Sequence, residues 1–184
     1  MKLVLIGGAG VRAVFFTKSL TMLAKDIGIK KFVMYDVNQE KLEIIGKLCK
    51  HVIAQRGIDM ELEFSNDIEE ALVGADYVIT TIRVGNDRSR VIDEQIALKH
   101  GVIGQETTGP GGFSMAVRTI PVLLDYCEKN QADCAKCLGI QLYQSFRTRI
   151  ASAAYCRLRS CNRHLRHAKL DQNQNCRSDW SQSG

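Results

Sequence analysis

The chain has 184 residues, 45% of them hydrophobic and 24% charged, a composition that suits one globular domain with a real core and excludes a disordered or fibrous chain. No apolar run is long enough to span a bilayer, and the N-terminus enters its first apolar segment at Leu3 without the basic region of a secretory signal; no membrane partner and a cytoplasmic location are expected. The formal charge of +5 lies wholly after residue 130, since residues 1–130 hold 16 Lys+Arg against 17 Asp+Glu and residues 131–184 hold 9 against 3, so the main body gives no reason to expect a nucleic-acid partner.

Lys2–Ile6 is a short, almost wholly apolar run closed by glycines, the pattern of a central parallel strand covered on both faces. Helical spacing of apolar residues follows from Val11 to Ala24. Lys31–Asp36 reads as a second strand, and Asn38, with Glu40 and Lys41, opens a long amphipathic helix to about Gln55. Glu61–Ser65 alternates as a strand, Asp67–Leu72 suits a short helix, and Ala75–Arg83 is another buried strand. Asp87–Lys99 is expected to be helical, Gly101–Gly112 to be a glycine-rich loop, and Met115–Lys129 a helix that Pro121 kinks or breaks. Strands alternating with helices in this way predict an α/β, Rossmann-like doubly wound parallel sheet. Beyond Asn130 the periodic signal disappears, so the chain divides into a nucleotide-binding domain over 1–130 and a tail over 131–184 without a domain of its own.

Between the first strand and its helix stands Gly7-Gly8-Ala9-Gly10-Val11-Arg12-Ala13, in which Gly8-x-Gly10-x-x-Ala13 fits a phosphate-binding turn. On this pattern Gly8 permits the tight turn, Gly10 lets backbone approach a diphosphate, and Ala13 packs helix against strand. The diphosphate meets the helix N-terminus, where unpaired N–H groups and the helix dipole favour negative charge. Arg12 either neutralises that phosphate or is a solvated surface charge. Asp36 ends the second strand at the distance where a carboxylate accepts hydrogen bonds from the adenosine ribose and repels a 2′-phosphate, which favours NAD over NADP. Thr81 and Arg83, at the end of a later strand, are placed toward the nicotinamide. Downstream, Asp87, Arg88, Arg90, Asp93 and Glu94 form either a solvated helix face or part of a site. Gly104–Gly112 is either a crossover loop or a binding loop in which three glycines let backbone wrap a polar ligand beside Glu106.

Ile6–Val11, Tyr77–Gly85, the long run Ile96–Gly112 and Arg118–Val122 together resemble family 4 glycoside hydrolases, and within them the 6-phospho-β-glucosidases. The resemblance covers about residues 1–130. It implies hydrolysis of a phosphorylated disaccharide or β-glucoside outside the two-carboxylate scheme, with NAD as redox cofactor and a divalent metal, usually manganese. Carbon 3 of the sugar is oxidised, which acidifies the proton on carbon 2; the aglycone is eliminated, water adds and the hydride returns. By position, the resemblance makes Arg90 a substrate-binding residue and Glu106 the acid that raises the basicity of a catalytic tyrosine. It places Gly7, Gly8, Gly10, Val11, Arg12 and Asp36 in the NAD segment, and implies a homo-oligomer for the full-length enzyme. An NAD-dependent 2-hydroxy-acid dehydrogenase, which shares this half of the fold, and a nucleotide-binding remnant without catalysis are the alternatives; the loop around Glu106 discriminates against the dehydrogenase.

After Asn130 the family's next segments, a strand ending in Asn-Phe-Thr-Asn-Pro-Ser-Gly and then a metal-binding Cys-Asp pair, are missing. Cys49 and Cys127 suit neutral thiols of a cytosolic protein, whereas Cys134, Cys137, Cys156, Cys161 and Cys176 crowd the tail. With His164 and His167 some of these suit a zinc knuckle, and the excess arginine suits a basic arm, although it lacks interleaved aromatics. Degenerate codons for Gln141–Thr148, read one base later, give Asn-Phe-Thr-Asn-Pro-Ser-Gly, and those for Asn162–Lys169 give Thr-Val-Ile-Cys-Asp-Thr-Pro. Two ordered matches at the family's spacing indicate a frameshift near residues 130–134. In this chain the substrate asparagine then falls at Gln144, the metal cysteine at Leu165 and its neighbouring acid at Arg166. The expected chain therefore retains no metal ligand and no glycosidase activity.

Overall fold

A computed structural model describes residues 1–130 and the backbone of 138–141. Its elements in chain order are β1 (Lys2–Ile6), α1 (Arg12–Ile27), β2 (Lys31–Tyr35), α2 (Gln39–Arg56), β3 (Glu61–Ser65), α3 (Ile68–Leu72), β4 (Tyr77–Thr80), α4 (Asn86–Lys99), α5 (Gly109–Asn130) and β5 (Leu138–Gln141). The strands form one parallel sheet in the order β3-β2-β1-β4-β5, with Ile6 opposite both Tyr35 and Thr80. The chain reverses direction of travel across the sheet between β1 and β4, which opens the crevice at the carboxyl ends of these two strands where such sheets bind ligands.

Alternation along the apolar strands divides the core in two. Leu3 and Leu5 of β1, with Phe32 and Met34 of β2, pack under Ala13, Leu20 and Ala24 of α1 and Leu42, Cys49 and Ile53 of α2. Val4, Ile6, Val33 and Tyr35 face the opposite way, against Ile68, Ala71 and Leu72 of α3 and Tyr126 of α5. Both sides of β1 are thus buried, as its unbroken apolar run requires. Gly46 lets α2 cross β3 closely, because a Cβ there would lie 2.9 Å from the Phe64 ring. No helix among the described residues is long and apolar enough to cross a membrane.

All four strands expected before residue 130 are present, with β4 shorter than the apolar run that announces it, so that residues 81–83 leave the sheet. Two expectations are corrected. Gly109–Gly112 belong to the first turn of α5 rather than to a loop: Pro110 lies where the missing N–H would have no helical partner in any case. Pro121 neither ends nor divides that helix, which runs through it to Asn130. The strand β5 also has no counterpart in the sequence pattern, since four residues including a glycine are too few to show a period. It pairs in parallel with β4, Tyr77 opposite Leu138. The expected knuckle residues and Gln144, Leu165 and Arg166 lie outside the described residues.

Side-chain caps start two of the helices. Asn38 Oδ1 accepts from the Lys41 N–H at 2.9 Å, and Asp67 Oδ1 accepts from the N–H groups of Glu69 at 2.8 Å and Glu70 at 3.3 Å. Since α3 is a single short helix whose Ile68 and Leu72 fill the second core layer, Asp67→Ala is expected to cost about 1 kcal/mol. Urea unfolding checks this, and an unchanged midpoint would show that α3 does not depend on its cap.

Candidate functional site

At the carboxyl end of β1 the chain makes an elbow held from beneath by β2. The N–H groups of Gly7 and Gly8 both donate to the Tyr35 carbonyl at 2.9 Å. Gly7 has φ +94, and a Cβ there would lie 2.6 Å from the Thr81 carbonyl oxygen, so the turn conformation expected of Gly8 is borne by Gly7 instead. Gly8 is small for a different reason: its Cβ would lie 2.9 Å from that of Met34. Ala13 is 2% exposed beneath α1, as expected of the small residue that lets helix approach strand.

Gly10 differs from both. The nearest atom to a Cβ there is the Gly7 carbonyl oxygen at 3.7 Å, so nothing in the protein itself demands a glycine. Beside it α1 begins without a side-chain cap and without an acidic residue in its first turn, in contrast to α2 and α3. An open space beside backbone amides and the positive end of a helix fits a diphosphate. Val11 and Arg12 stand exposed at the same helix end. Asp36 closes the other side: its Oδ2 accepts from the Ala9 N–H and its Oδ1 from the Asn38 N–H, each at 3.0 Å. The elbow, the helix tip and the Asp36 carboxylate therefore lie together.

Across the crevice, beyond β4, five charged side chains form a network. Arg83 donates from Nη1 to Asp87 at 2.9 Å and from Nη2 to Glu106 Oε1 at 3.3 Å, which commits its guanidinium to carboxylates of the chain. Arg90 Nε donates to Glu94 Oε1 at 2.9 Å and lies 3.8 Å from Glu106 Oε2. The Glu94 hydrogen bond, then the charges of Glu94 and Glu106, raise the Arg90 pKa above its ordinary value. Glu106 is half-buried between the two arginines. Its Oε2 is 3.2 Å from Arg83 Nη2 yet accepts no aligned hydrogen bond, which leaves a buried acceptor facing the site.

Of the glycines around Glu106, Gly109 has nothing within 4 Å of a Cβ, whereas three others are small for reasons internal to the chain. A Cβ on Gly104 would lie 2.8 Å from the Glu94 carbonyl oxygen, on Gly111 2.2 Å from that of Gln105, and on Gly112 2.8 Å from that of Thr107. Their missing side chains are replaced by the chain's own backbone, so these glycines press the loop onto α4 and α5 rather than wrapping a ligand. Asp93 does not fit the first of its two readings, a solvated helix face. It is 7% exposed and forms a two-pronged ion pair with Arg118 of α5, Nη1 to Oδ1 at 3.0 Å and Nη2 to Oδ2. The available signal was its spacing from Ser89 and Ala97, one turn before and one turn after, on the inward stripe of α4. Among the described residues no group of three or more His, Cys, Asp or Glu side chains is placed to hold a metal.

Residues 2–148 match the model of the family 4 glycosyl hydrolases. The chain is 35% identical over 136 residues to a probable 6-phospho-beta-glucosidase of Bacillus subtilis, covering 73% of this chain and 31% of that protein. It is 38% identical over 133 residues to a 6-phospho-alpha-glucosidase of Lacticaseibacillus paracasei, covering 68% and 29%. Among solved structures, the 6-phospho-beta glucosidase of Thermotoga maritima with manganese, NAD+ and glucose-6-phosphate superposes with a TM-score of 0.72 at 33% identity, covering 77% of this chain and 34% of the other. The chain thus spans about a third of the length of the relatives it matches.

Proposed function

The chain belongs to family 4 of the glycosyl hydrolases, and from that premise we propose that it carries the NAD-binding half of a cytoplasmic 6-phospho-β-glucosidase. The supporting observation is the juxtaposition of an elbow whose Gly10 is open to a ligand, an uncapped helix tip and the Asp36 carboxylate. In this reading Gly7, Gly8, Gly10, Val11 and Arg12 border the diphosphate, Asp36 accepts from the ribose hydroxyls, and Thr81 and Arg83 close the nicotinamide end. When bound, NAD supplies the hydride acceptor that oxidises the sugar and later returns the hydride. Arg90 binds the phosphorylated glucoside, and Glu106, held by Arg83, turns its unfilled Oε2 toward the tyrosine base of a complete enzyme. The manganese of the solved relative finds no ligand set in the described part, and no step here depends on it.

Support for a reading-frame change comes from one more stretch of the tail. One synonymous choice of codons for Cys134–Ile140, read one base later, allows Ala-Pro-Asn-Ala-Trp-Ala-Phe, which would lead directly into the shifted Asn-Phe-Thr-Asn-Pro-Ser-Gly. We propose on this basis that the chain binds NAD without turning over a glycoside, and that the unshifted full-length form is the active one and the homo-oligomer.

Calorimetry with NAD, alongside assay of the p-nitrophenyl 6-phosphoglucosides of both anomers with manganese and a reductant, tests both statements. NAD is expected to bind and neither anomer to be cleaved. Folded protein without affinity for NAD refutes the first statement, and hydrolysis by the purified chain refutes the second. Asp36→Ala removes the ribose acceptor and the tie to Ala9, and is expected to weaken NAD by at least about tenfold, the loss typical of a charge-assisted hydrogen bond. The same calorimetric titration reads it, and equal affinity would remove Asp36 from the site.

A further inference from the structure

Arg118 and Asp93 lie outside every group the proposed reaction uses, yet they occupy the join between α4 and α5. Asp93 is buried, and its two carboxylate oxygens are taken by the two terminal nitrogens of Arg118. The Arg118 Nε is buried without a partner and would stand 3.5 Å from a Cβ on Gly85, the residue at which the chain turns from β4 into α4. One side chain of α5 therefore grips the middle of α4 and stands near its origin. Between those two points α4 carries Asp87, which holds Arg83, and Arg90; the next residue after Asp93 is Glu94, which holds Arg90.

The helix needs such an anchor. Among the inward residues of α4 only Asp93 and Ala97 are buried, whereas Val91, Ile92 and Ile96 are about half exposed. Apolar burial thus contributes little to the angle at which α4 sits, and a two-pronged arginine–carboxylate pair fixes both distance and rotation in a way that a single contact does not. We infer that the Asp93–Arg118 pair is a positioning device that sets the rotation of α4 and so places Arg90 and Glu94 against Glu106. This rests on the reading of Arg90 and Glu106 as site residues, but it is tested apart from that reading.

Asp93→Asn keeps the shape and removes the charge. In the full chain, labelled with nitrogen-15 arginine, the Arg90 Nε–H resonance is expected to move toward that of a solvated arginine, and its exchange with water to quicken roughly tenfold as the Glu94 contact opens more often. NAD affinity, which rests chiefly on the elbow and Asp36 at the other side of the crevice and only in part on Arg83, is expected to stay within about threefold of wild type. A merely structural pair would lower thermal stability while leaving the Arg90 signal where it was. Should Asp93→Asn not fold, Arg118→Lys retains the charge and loses the fork, and the same resonance is followed. An unmoved Arg90 signal in either folded variant overturns the inference. Failure of the functional reading has a separate mark, the absence of NAD binding by the wild-type chain.

Discussion

Gly10→Ala is expected to leave the ligand-free protein as stable as wild type, within about 0.5 kcal/mol, while NAD affinity falls about 100-fold. The first half follows from the space around the residue: an added methyl meets nothing nearer than 3.7 Å, and the backbone there is outside the left-handed region. Removing a glycine under those conditions restrains the unfolded chain and slightly favours the folded one. The second half follows from the proposed diphosphate site, since the methyl would enter the open space next to the N-terminus of α1 that this reading gives to phosphate. Overpacking there, together with lengthened charge-assisted hydrogen bonds, accounts for about 2–3 kcal/mol of lost binding. Urea unfolding without ligand and calorimetry with NAD give the two halves independently. Unchanged affinity would mean that the open space at Gly10 holds something other than a diphosphate.

Gly7→Ala is expected to fail in the opposite way, by loss of the fold. Its φ of +94 is strained for any residue with a side chain, and the new Cβ would lie 2.6 Å from the backbone carbonyl oxygen of Thr81, a residue tied beside β1 by its N–H bond to Ile6 at 2.8 Å. Strain and clash together come to about 3–5 kcal/mol, a large fraction of the stability of a single domain. Thermal and urea unfolding measure it, and a midpoint matching wild type would show that the elbow is able to relax. Two glycines three residues apart thus differ in kind: the protein's own backbone demands the first, and only the proposed ligand would demand the second.

The parts of this molecule legible in the sequence are those set by local pattern. The unbroken run Leu3–Ile6 declares a strand buried on both faces, and the glycines that follow it, with Asp36 after the next strand, declare the elbow that Asp36 ties down through the Ala9 N–H. What the sequence hid depends on which segments meet in the fold. Gly109–Gly112 look like a loop by composition, yet Gly111 and Gly112 are small because α5 begins against the backbone of Gln105 and Thr107. Asp93 looks solvated amid a run of charges until Arg118, on another helix, reaches it. Arg83 is recognisable at its strand end, but not that Asp87 and Glu106 hold its guanidinium. In each case the residue type is legible and the partner that fixes it is not.

The Asp36 carboxylate grips the Ala9 and Asn38 amides. These ties hold the elbow in shape from within the protein, so on the proposed reading a dinucleotide has little chain to order. Its association should draw on contact rather than on folding, with a modest entropic penalty and amide protection in residues 7–10 that is largely established beforehand.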